Sequence, residues 1–167
     1  MNVLSKISFH ITDLSNPFLE LITRKEEMQG VDLPRGKRSK GESAIVGKAA
    51  QAFNIKAEIS TMPGYIMGNL ILPPQGIKDQ EGVGSCSQGF NVGDCQPQSL
   101  EVGIADPDIN DGKFDAPTAQ RFLLSKGDMF HVPAGNVYRI QNHSKTHDCT
   151  LYWTIIRPMK AYKKDES

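Results

Sequence analysis

The chain has 167 residues, of which 38% are hydrophobic and 23% are charged, and its formal net charge is zero. This length and composition are typical of one globular domain with a substantial core. No apolar run approaches the length of a membrane span, so we expect no membrane partner.

The N-terminal region predicts an arm and not a second domain. Ile7, Phe9 and Ile11 alternate with polar residues, which predicts a strand. Ser15 and Pro17 are typical of a helix start, and the helical spacing ends at Gly30. Residues 30–43 are rich in glycine and lysine and are predicted to be a linker. We therefore expect an arm over residues 1–43, with a short helix and a basic linker.

From residue 44 the pattern becomes that of an all-β domain, predicted to extend to residue 159 and to be followed by a flexible tail, 160–167. Short strands without the spacing of βαβ units favour a sandwich or a barrel. Turn residues, including the Gly-rich run 82–93, are expected to separate the strands. The predicted strands are Ala57–Ile59, Tyr65–Leu72, Ser99–Ile104, Arg121–Leu124, Met129–Val132, Val137–Gln141 and Cys149–Ile156.

The cysteine spacing indicates the redox compartment of the chain, and the placement of its charges indicates where a nucleic acid could bind. The three cysteines are widely spaced, which favours reduced thiols in cytosol or nucleus over a disulfide framework. Residues 35–40 hold four bases without an acid, Arg35, Lys37, Arg38 and Lys40. This run is faintly similar to a minor-groove-binding hook, so weak DNA contact is one interpretation and a solvated linker is the other.

Residues 127–142 carry the most specific motif of the chain. Gly127 and Asp128 predict one tight turn, and residues 133–136 predict a second, each next to a short strand. The spacing of Gly127, Pro133, Gly135 and Asn142 resembles the second signature of the cupin family of β-barrels. In metal-binding cupins a histidine ligand stands where this chain has Tyr138. The resemblance implies a jelly-roll barrel in which Tyr138 occupies a degenerate ligand position.

No other segment supplies the missing metal ligands. The first cupin signature would lie between Gly68 and Gly93, and that segment contains no histidine. His143, His147 and Cys149 could be a metal clip, although a polar hairpin loop is the preferred interpretation. Residues 106–117 resemble a calcium loop that lacks its bidentate glutamate, so a surface loop is preferred there. We therefore expect no metal, no cofactor and no enzymatic activity.

The strand Cys149–Ile156 is apolar on both faces, which is unusual for a barrel strand with water outside. Leu151, Trp153 and Ile155 are predicted to point outward and to be covered by the N-terminal arm or by a second subunit. They are the predicted dimer interface, and Trp153→Ala is expected to give a folded monomer.

A narrower resemblance rests on four segments, residues 68–78, 98–104, 122–128 and 132–142. Together they resemble the C-terminal cupin domain of centromere protein C (CENP-C), and Tyr at the ligand position is characteristic of that group. The resemblance implies a homodimer that acts in the nucleus at the centromere and kinetochore, in chromosome segregation. It also implies that centromeric nucleosomes are bound by other parts of a longer protein, while kinetochore or regulatory proteins join as partners.

Two functions therefore remain open at this stage. The preferred one is a non-enzymatic homodimerisation module of an inner-kinetochore, centromere-binding scaffold. The alternative is a metal-independent cupin that binds a small molecule or works as an epimerase or isomerase, which would need an open barrel and a general base near Tyr138.

Overall fold

The computed structural model describes residues 23–33, 46–55, 63–105, 114 and 117–159. A 3-10 helix, Lys25–Glu27, precedes ten strands. The strands are β1 (Val31–Asp32), β2 (Lys48–Ile55), β3 (Tyr65–Leu72), β4 (Ile77–Gly82), β5 (Ser87–Asp94), β6 (Leu100–Ala105), β7 (Gln120–Leu124), β8 (Met129–Val132), β9 (Val137–Asn142) and β10 (Cys149–Ile156).

The strands form two antiparallel sheets that enclose one core. The larger sheet has the order β1-β2-β3-β10-β5-β8 and the smaller one the order β4-β9-β6-β7. Strands that follow each other in the chain, such as β3 and β4 or β7 and β8, lie in different sheets. This repeated crossing is typical of a jelly-roll barrel, and it confirms the fold class predicted from the sequence.

The core is built mainly from alternate residues of β3, β6, β9 and β10, as the period of two in their burial requires. Trp153 is the largest of these side chains and is 1% exposed. Its Nε1 atom donates a hydrogen bond to the carbonyl oxygen of Asn69 at 2.8 Å. A side chain at Gly68 would collide with the Trp153 ring, so the glycine makes room for the indole.

The predicted facing of β10 is wrong. Leu151, Trp153 and Ile155 point into the barrel and are 0–1% exposed, whereas Tyr152 and Ile156 are exposed. Both faces of this strand are apolar in sequence, so alternation alone cannot identify the inner one. The second sheet decides the facing, because only one face of β10 meets the side chains of the smaller sheet.

The two predicted tight turns of the motif are confirmed. Gly127 and Gly135 have φ values of 91° and 87°, which glycine adopts without steric strain. Asn142, at the end of the motif, is fully buried. Its amide nitrogen donates hydrogen bonds to the carbonyl oxygens of Leu72, Pro73 and His147, and thereby ties the β3–β4 turn to the β9–β10 loop.

The Gly-rich run 82–93, which was predicted to separate two strands, contains most of a central strand. β5 pairs with β10 over Ser87–Asp94, and Phe90 lies opposite Trp153. The polar strand β4 and the strand β2 were also not predicted. At the sheet edge, Val31 and Asp32 pair with β2, so this part of the predicted linker belongs to the larger sheet.

Several predictions lie outside the described residues. They are the strand at Ile7–Ile11, the helix from Ser15, the strand Ala57–Ile59, the loop at Asp106–Asn110 and the tail 160–167. The division into arm, domain and tail stays a prediction. Across the described residues, no helix has the length and apolar character that a membrane crossing requires.

Candidate functional site

The interior of the barrel contains a buried ion pair that the sequence did not predict. Lys78 and Glu81 are three residues apart on β4, and a regular strand would send them to opposite faces. The pairing of β4 with β9 shifts register between these two residues. This bulge turns both side chains inward, where the Lys78 ammonium hydrogen-bonds and pairs with Glu81 Oε2.

Tyr138 completes this interior group, at the place that the motif spacing gives it. It lies opposite Glu81 in the β4–β9 pair and is fully buried. The Nζ atom of Lys78 lies 4.3 Å from its ring centroid, and the Phe90 ring packs against it at 5.6 Å between centroids. Gln88, also fully buried, extends the group on the facing sheet. We call Lys78, Glu81, Gln88 and Tyr138 the interior polar cluster.

Burial dominates the protonation behaviour of this cluster. It lowers the pKa of the Lys78 ammonium, while the adjacent Glu81 carboxylate opposes that change. Burial also raises the pKa of Tyr138 well above its usual value, and the Glu81 charge adds to the rise. The tyrosine hydroxyl therefore keeps its proton far into the alkaline range. Cluster residues are at most 6% exposed, so solvent and solutes have no direct access to them.

The cluster does not fit the metal that many cupin barrels hold. A divalent metal needs several imidazole or carboxylate ligands that converge on one point. Glu81 is the only such group in the cluster, and the Lys78 ammonium would repel a cation beside it. In the part of the chain that the structure describes, no three His, Cys, Asp or Glu side chains are grouped so that they could hold a metal ion.

The three residues of the possible metal clip have separate partners. His143 Nε2 lies 3.0 Å from Glu101 Oε2, and His147 Nδ1 lies 2.7 Å from Thr146 Oγ1. Cys149 is buried in the core. The histidine within the motif, His131, pairs with Gly89 and is exposed on the outward side of β8, whereas Tyr138 is buried. The group beside Tyr138 is the Glu81 carboxylate, which the sequence did not identify.

The second notable feature is the outer face of the larger sheet. Directly opposed residues of antiparallel strands share a face, so Tyr152 has Asn69 and Asn91 beside it, and Thr154 has Met67 and Gly89. Met67, Tyr152 and Ile156 are 39%, 54% and 44% exposed. We call the central patch of this surface the uncharged face; its residues are Tyr65, Met67, Asn69, Ile71, Ser87, Gly89, Asn91, Thr150, Tyr152, Thr154 and Ile156. Lys48, opposite Ile71, and Asp94, opposite Thr150, lie at one end of the patch.

The third feature is a half-open cleft of about 660 Å³ between the edge strands β7 and β8. Its walls are mainly apolar, and none of the interior polar cluster lines it. Phe122 and Met129 at its rim are 47% and 72% exposed. The lining residues are Val102, Ile104, Thr118, Gln120, Phe122, Leu124, Met129, Phe130, His131, Pro133 and Asn136.

The four bases predicted as a possible DNA contact cannot be placed. Arg35, Lys37, Arg38 and Lys40 lie outside the described residues. Weak DNA binding by this run stays a prediction.

Comparison with known proteins bears on the fold. No protein-family profile matches the chain, and no curated protein matches it. A predicted oxalate decarboxylase from Thermotoga maritima is 17% identical, with a TM-score of 0.54, over 83% of this chain and 100% of that one. The CENP-C cupin domain of Drosophila melanogaster is 15% identical, with a TM-score of 0.50, over 79% and 77%.

A third similar structure is the cupin domain of Schizosaccharomyces pombe Cnp3, which is 22% identical with a TM-score of 0.47. The match covers 67% of this chain, and the chain spans 61% of the length of that domain. At these identities the likenesses show the fold alone. The chain has the cupin fold, which a centromeric domain and a predicted oxalate decarboxylase share.

Proposed function

We propose that this chain is a non-enzymatic homodimerisation module of an inner-kinetochore scaffold protein of the CENP-C type. The observation that carries the proposal is the uncharged face, an exposed patch whose own residues carry no charge and which has Lys48 and Asp94 only at one end. The resemblance of four sequence segments to CENP-C cupin domains supports the kinetochore assignment. The structural likeness to the Drosophila CENP-C cupin domain is consistent with it at the level of fold.

The interior of the barrel supports the non-enzymatic part of the proposal. Catalysis requires that substrate reach the reacting groups. Tyr138 and Gln88 are fully buried, and Lys78 is 3% exposed. By the motif resemblance, Tyr138 stands where a metal-binding cupin has a histidine ligand, and the Lys78–Glu81 pair lies beside it. The cluster thus occupies the barrel interior with groups that a substrate cannot reach.

The uncharged face has the character of a two-fold interface. Its aromatic and aliphatic side chains are interspersed with threonine and asparagine, a composition suited to the centre of an interface. Its three neighbouring strands, β3, β10 and β5, have eight residues each. Strand spacing and rise give these strands an area of about 14 by 26 Å, which is about half of what each partner buries in a standard interface.

Two substitutions of similar chemistry test this surface. Tyr152→Arg places a charge at the centre of the uncharged face, and Leu123→Arg places one on the outer side of β7 in the other sheet. Tyr152 and Leu123 are similarly exposed, at 54% and 58%. By light scattering, we expect Tyr152→Arg to give monomers and Leu123→Arg to remain dimeric. Dimers from both variants would remove the uncharged face from the interface.

The kinetochore assignment needs a separate test in cells of the source organism. The chain, fused to a fluorescent protein, should concentrate at centromeres when the endogenous protein is present for it to pair with. The Tyr152→Arg fusion should be diffuse. A wild-type fusion that dimerises in solution and shows no centromeric signal would contradict the assignment and leave dimerisation intact.

The cleft favours one second candidate, the binding of a small apolar molecule. Its volume of about 660 Å³ lies in the range of ligand sites, and its apolar walls suit an aliphatic or aromatic ligand. A fluorescent fatty acid offers a direct probe. Saturable binding that Phe122→Asp abolishes would favour this function, and the absence of binding at micromolar concentration would exclude it for this class of ligand.

A further inference from the structure

Two of the three cysteines lie opposite each other where β5 and β10 meet. Thr150 pairs with Asp94 in the antiparallel register of these strands. One residue further along each strand, in opposite directions, the chain has Cys149 and Cys95. Opposed residues in an antiparallel pair have closely spaced Cβ atoms on the same face. The register therefore places both side chains together at the end of the barrel.

Side-chain contacts agree with this placement. Ser99 Oγ lies 3.9 Å from Cys149 Sγ, and Cys95 Sγ lies 3.8 Å from the carbonyl oxygen of Leu124. Each thiol also shifts the pKa of the other, and Ser99 acts on both, in agreement with the placement that the register gives. Cys149 is fully buried, and Cys95 is half-buried. A reagent from solution can thus reach the Cys95 thiol, while the Cys149 thiol is buried behind it.

We propose that Cys95 and Cys149 are a redox site that forms a reversible intramolecular disulfide with a small-molecule disulfide such as oxidised glutathione. Cys95 is the attacking residue and Cys149 the resolving one. This inference does not depend on the proposed function. It also refines the sequence-based expectation of reduced thiols, because the resting dithiol is the form that reacts.

The reaction balances in two exchange steps. The Cys95 thiolate attacks one sulfur atom of the small disulfide, and the other half leaves as a thiolate and takes up a proton. Cys149 then loses its proton and attacks Cys95 Sγ in the mixed disulfide, which releases the second thiol. Two cysteines are oxidised and one small disulfide is reduced to two thiols.

Burial of the two thiols determines the rate of this thiol–disulfide exchange. It raises the pKa of Cys95 and, more strongly, that of Cys149, to about 12. The thiolate is the nucleophile, so the exchange should be slow at neutral pH and faster in alkaline solution. The bond would join the β5–β6 turn to the first residue of β10, next to the position where the Tyr152 ring packs over Gly93.

The test uses the full chain with oxidised glutathione at pH 8.5, followed by alkylation and peptide mapping without reductant. The expected result is a Cys95–Cys149 cross-linked peptide, with the number of free thiols falling from three to one. The unfolding midpoint should rise by about 5–10 °C and return on addition of dithiothreitol. Cys86→Ser should react in the same way.

Three results would overturn the proposal. They are a disulfide that involves Cys86, a cross-link between two chains in place of the internal one, and a stable glutathione adduct on Cys95 that Cys149 does not resolve. Mapping of the unaltered chain distinguishes all three, so the conclusion does not rely on the folding of a Cys149 variant.

Discussion

The Nζ atom of Lys78 lies 4.3 Å from the ring centroid of Tyr138, in the middle of a barrel whose relatives in fold include a predicted oxalate decarboxylase. The ammonium group is desolvated there, and its charge is balanced by Glu81 and by the face of the aromatic ring. Lys78, Glu81 and Tyr138 thus form one polar group inside the barrel. These side chains thereby fill this part of the barrel interior.

The ion pair gives the first expectation. Glu81→Gln would leave the Lys78 charge buried without its partner and should lower the free energy of unfolding by about 3–5 kcal/mol. The double variant Lys78→Met/Glu81→Gln removes both charges and should recover most of that loss. Urea unfolding followed by circular dichroism measures both values. An exposed pair, Lys126 with Asp94, provides the control, because Lys126→Met should cost less than about 1 kcal/mol. If the double variant is no more stable than Glu81→Gln, the result would contradict the conclusion that Glu81 balances the buried charge of Lys78.

Trp153 gives the second expectation. Because the indole is buried and donates a hydrogen bond to Asn69, Trp153→Ala should destabilise the chain by about 3–5 kcal/mol. Trp153 is the only tryptophan, so unfolding has to be followed by circular dichroism or calorimetry. If Trp153→Ala is monomeric and as stable as the unaltered chain, the result would support the outward-facing Trp153 side chain that the sequence predicted.

The close packing of Gly68 gives the third. An added methyl group would overlap the Trp153 ring and the carbonyl oxygen of Ala50, a backbone atom that cannot move aside freely. Gly68→Ala should therefore destabilise the chain by about 1–3 kcal/mol. Gly82 is also a strand residue, and a methyl group there would meet only Val137 Cγ2 at 3.9 Å. Gly82→Ala should be nearly neutral by the same unfolding measurement, and equal losses from the two variants would contradict the packing at Gly68.

The pH dependence of stability gives the fourth. Burial raises the pKa of Cys149 from 9.0 to about 12. Between these values the unfolded chain has released the thiol proton and the folded chain retains it, so the unfolded chain binds fewer protons. The free energy of unfolding should fall as the pH rises through this window, by up to about 1.4 kcal/mol per pH unit. Urea unfolding at pH 8.5–10.5 should show a shallower fall for Cys149→Ala, whereas equal slopes would contradict the assignment.

The sequence predicted the strands that carry strong local signals. Tyr65–Leu72, Met129–Val132 and Cys149–Ile156 have the predicted bounds because each is an apolar run between turn residues. β5 was missed because Gly89 and Gly93 look like turn residues. In the structure Gly93 lies beneath the Tyr152 ring, a contact that only the folded sheet defines.

The candidate sites were less predictable than the fold. Tyr138 could be placed in the barrel from the motif, but its neighbours Lys78 and Glu81 could not, because their common facing depends on a bulge between them. The predicted outward facing of the Trp153 side chain was wrong for a related reason. On a strand that is apolar on both sides, long-range pairing and not local alternation determines which side is buried.

The mass of the unaltered chain in solution, measured by sedimentation equilibrium from about 1 to 100 µM, tests the central claim most directly, because a dimer with a micromolar or tighter dissociation constant is populated across this range. A homodimer through the uncharged face requires twice the chain mass of 18.4 kDa over most of this range. A single-chain mass at the highest concentration would contradict the account.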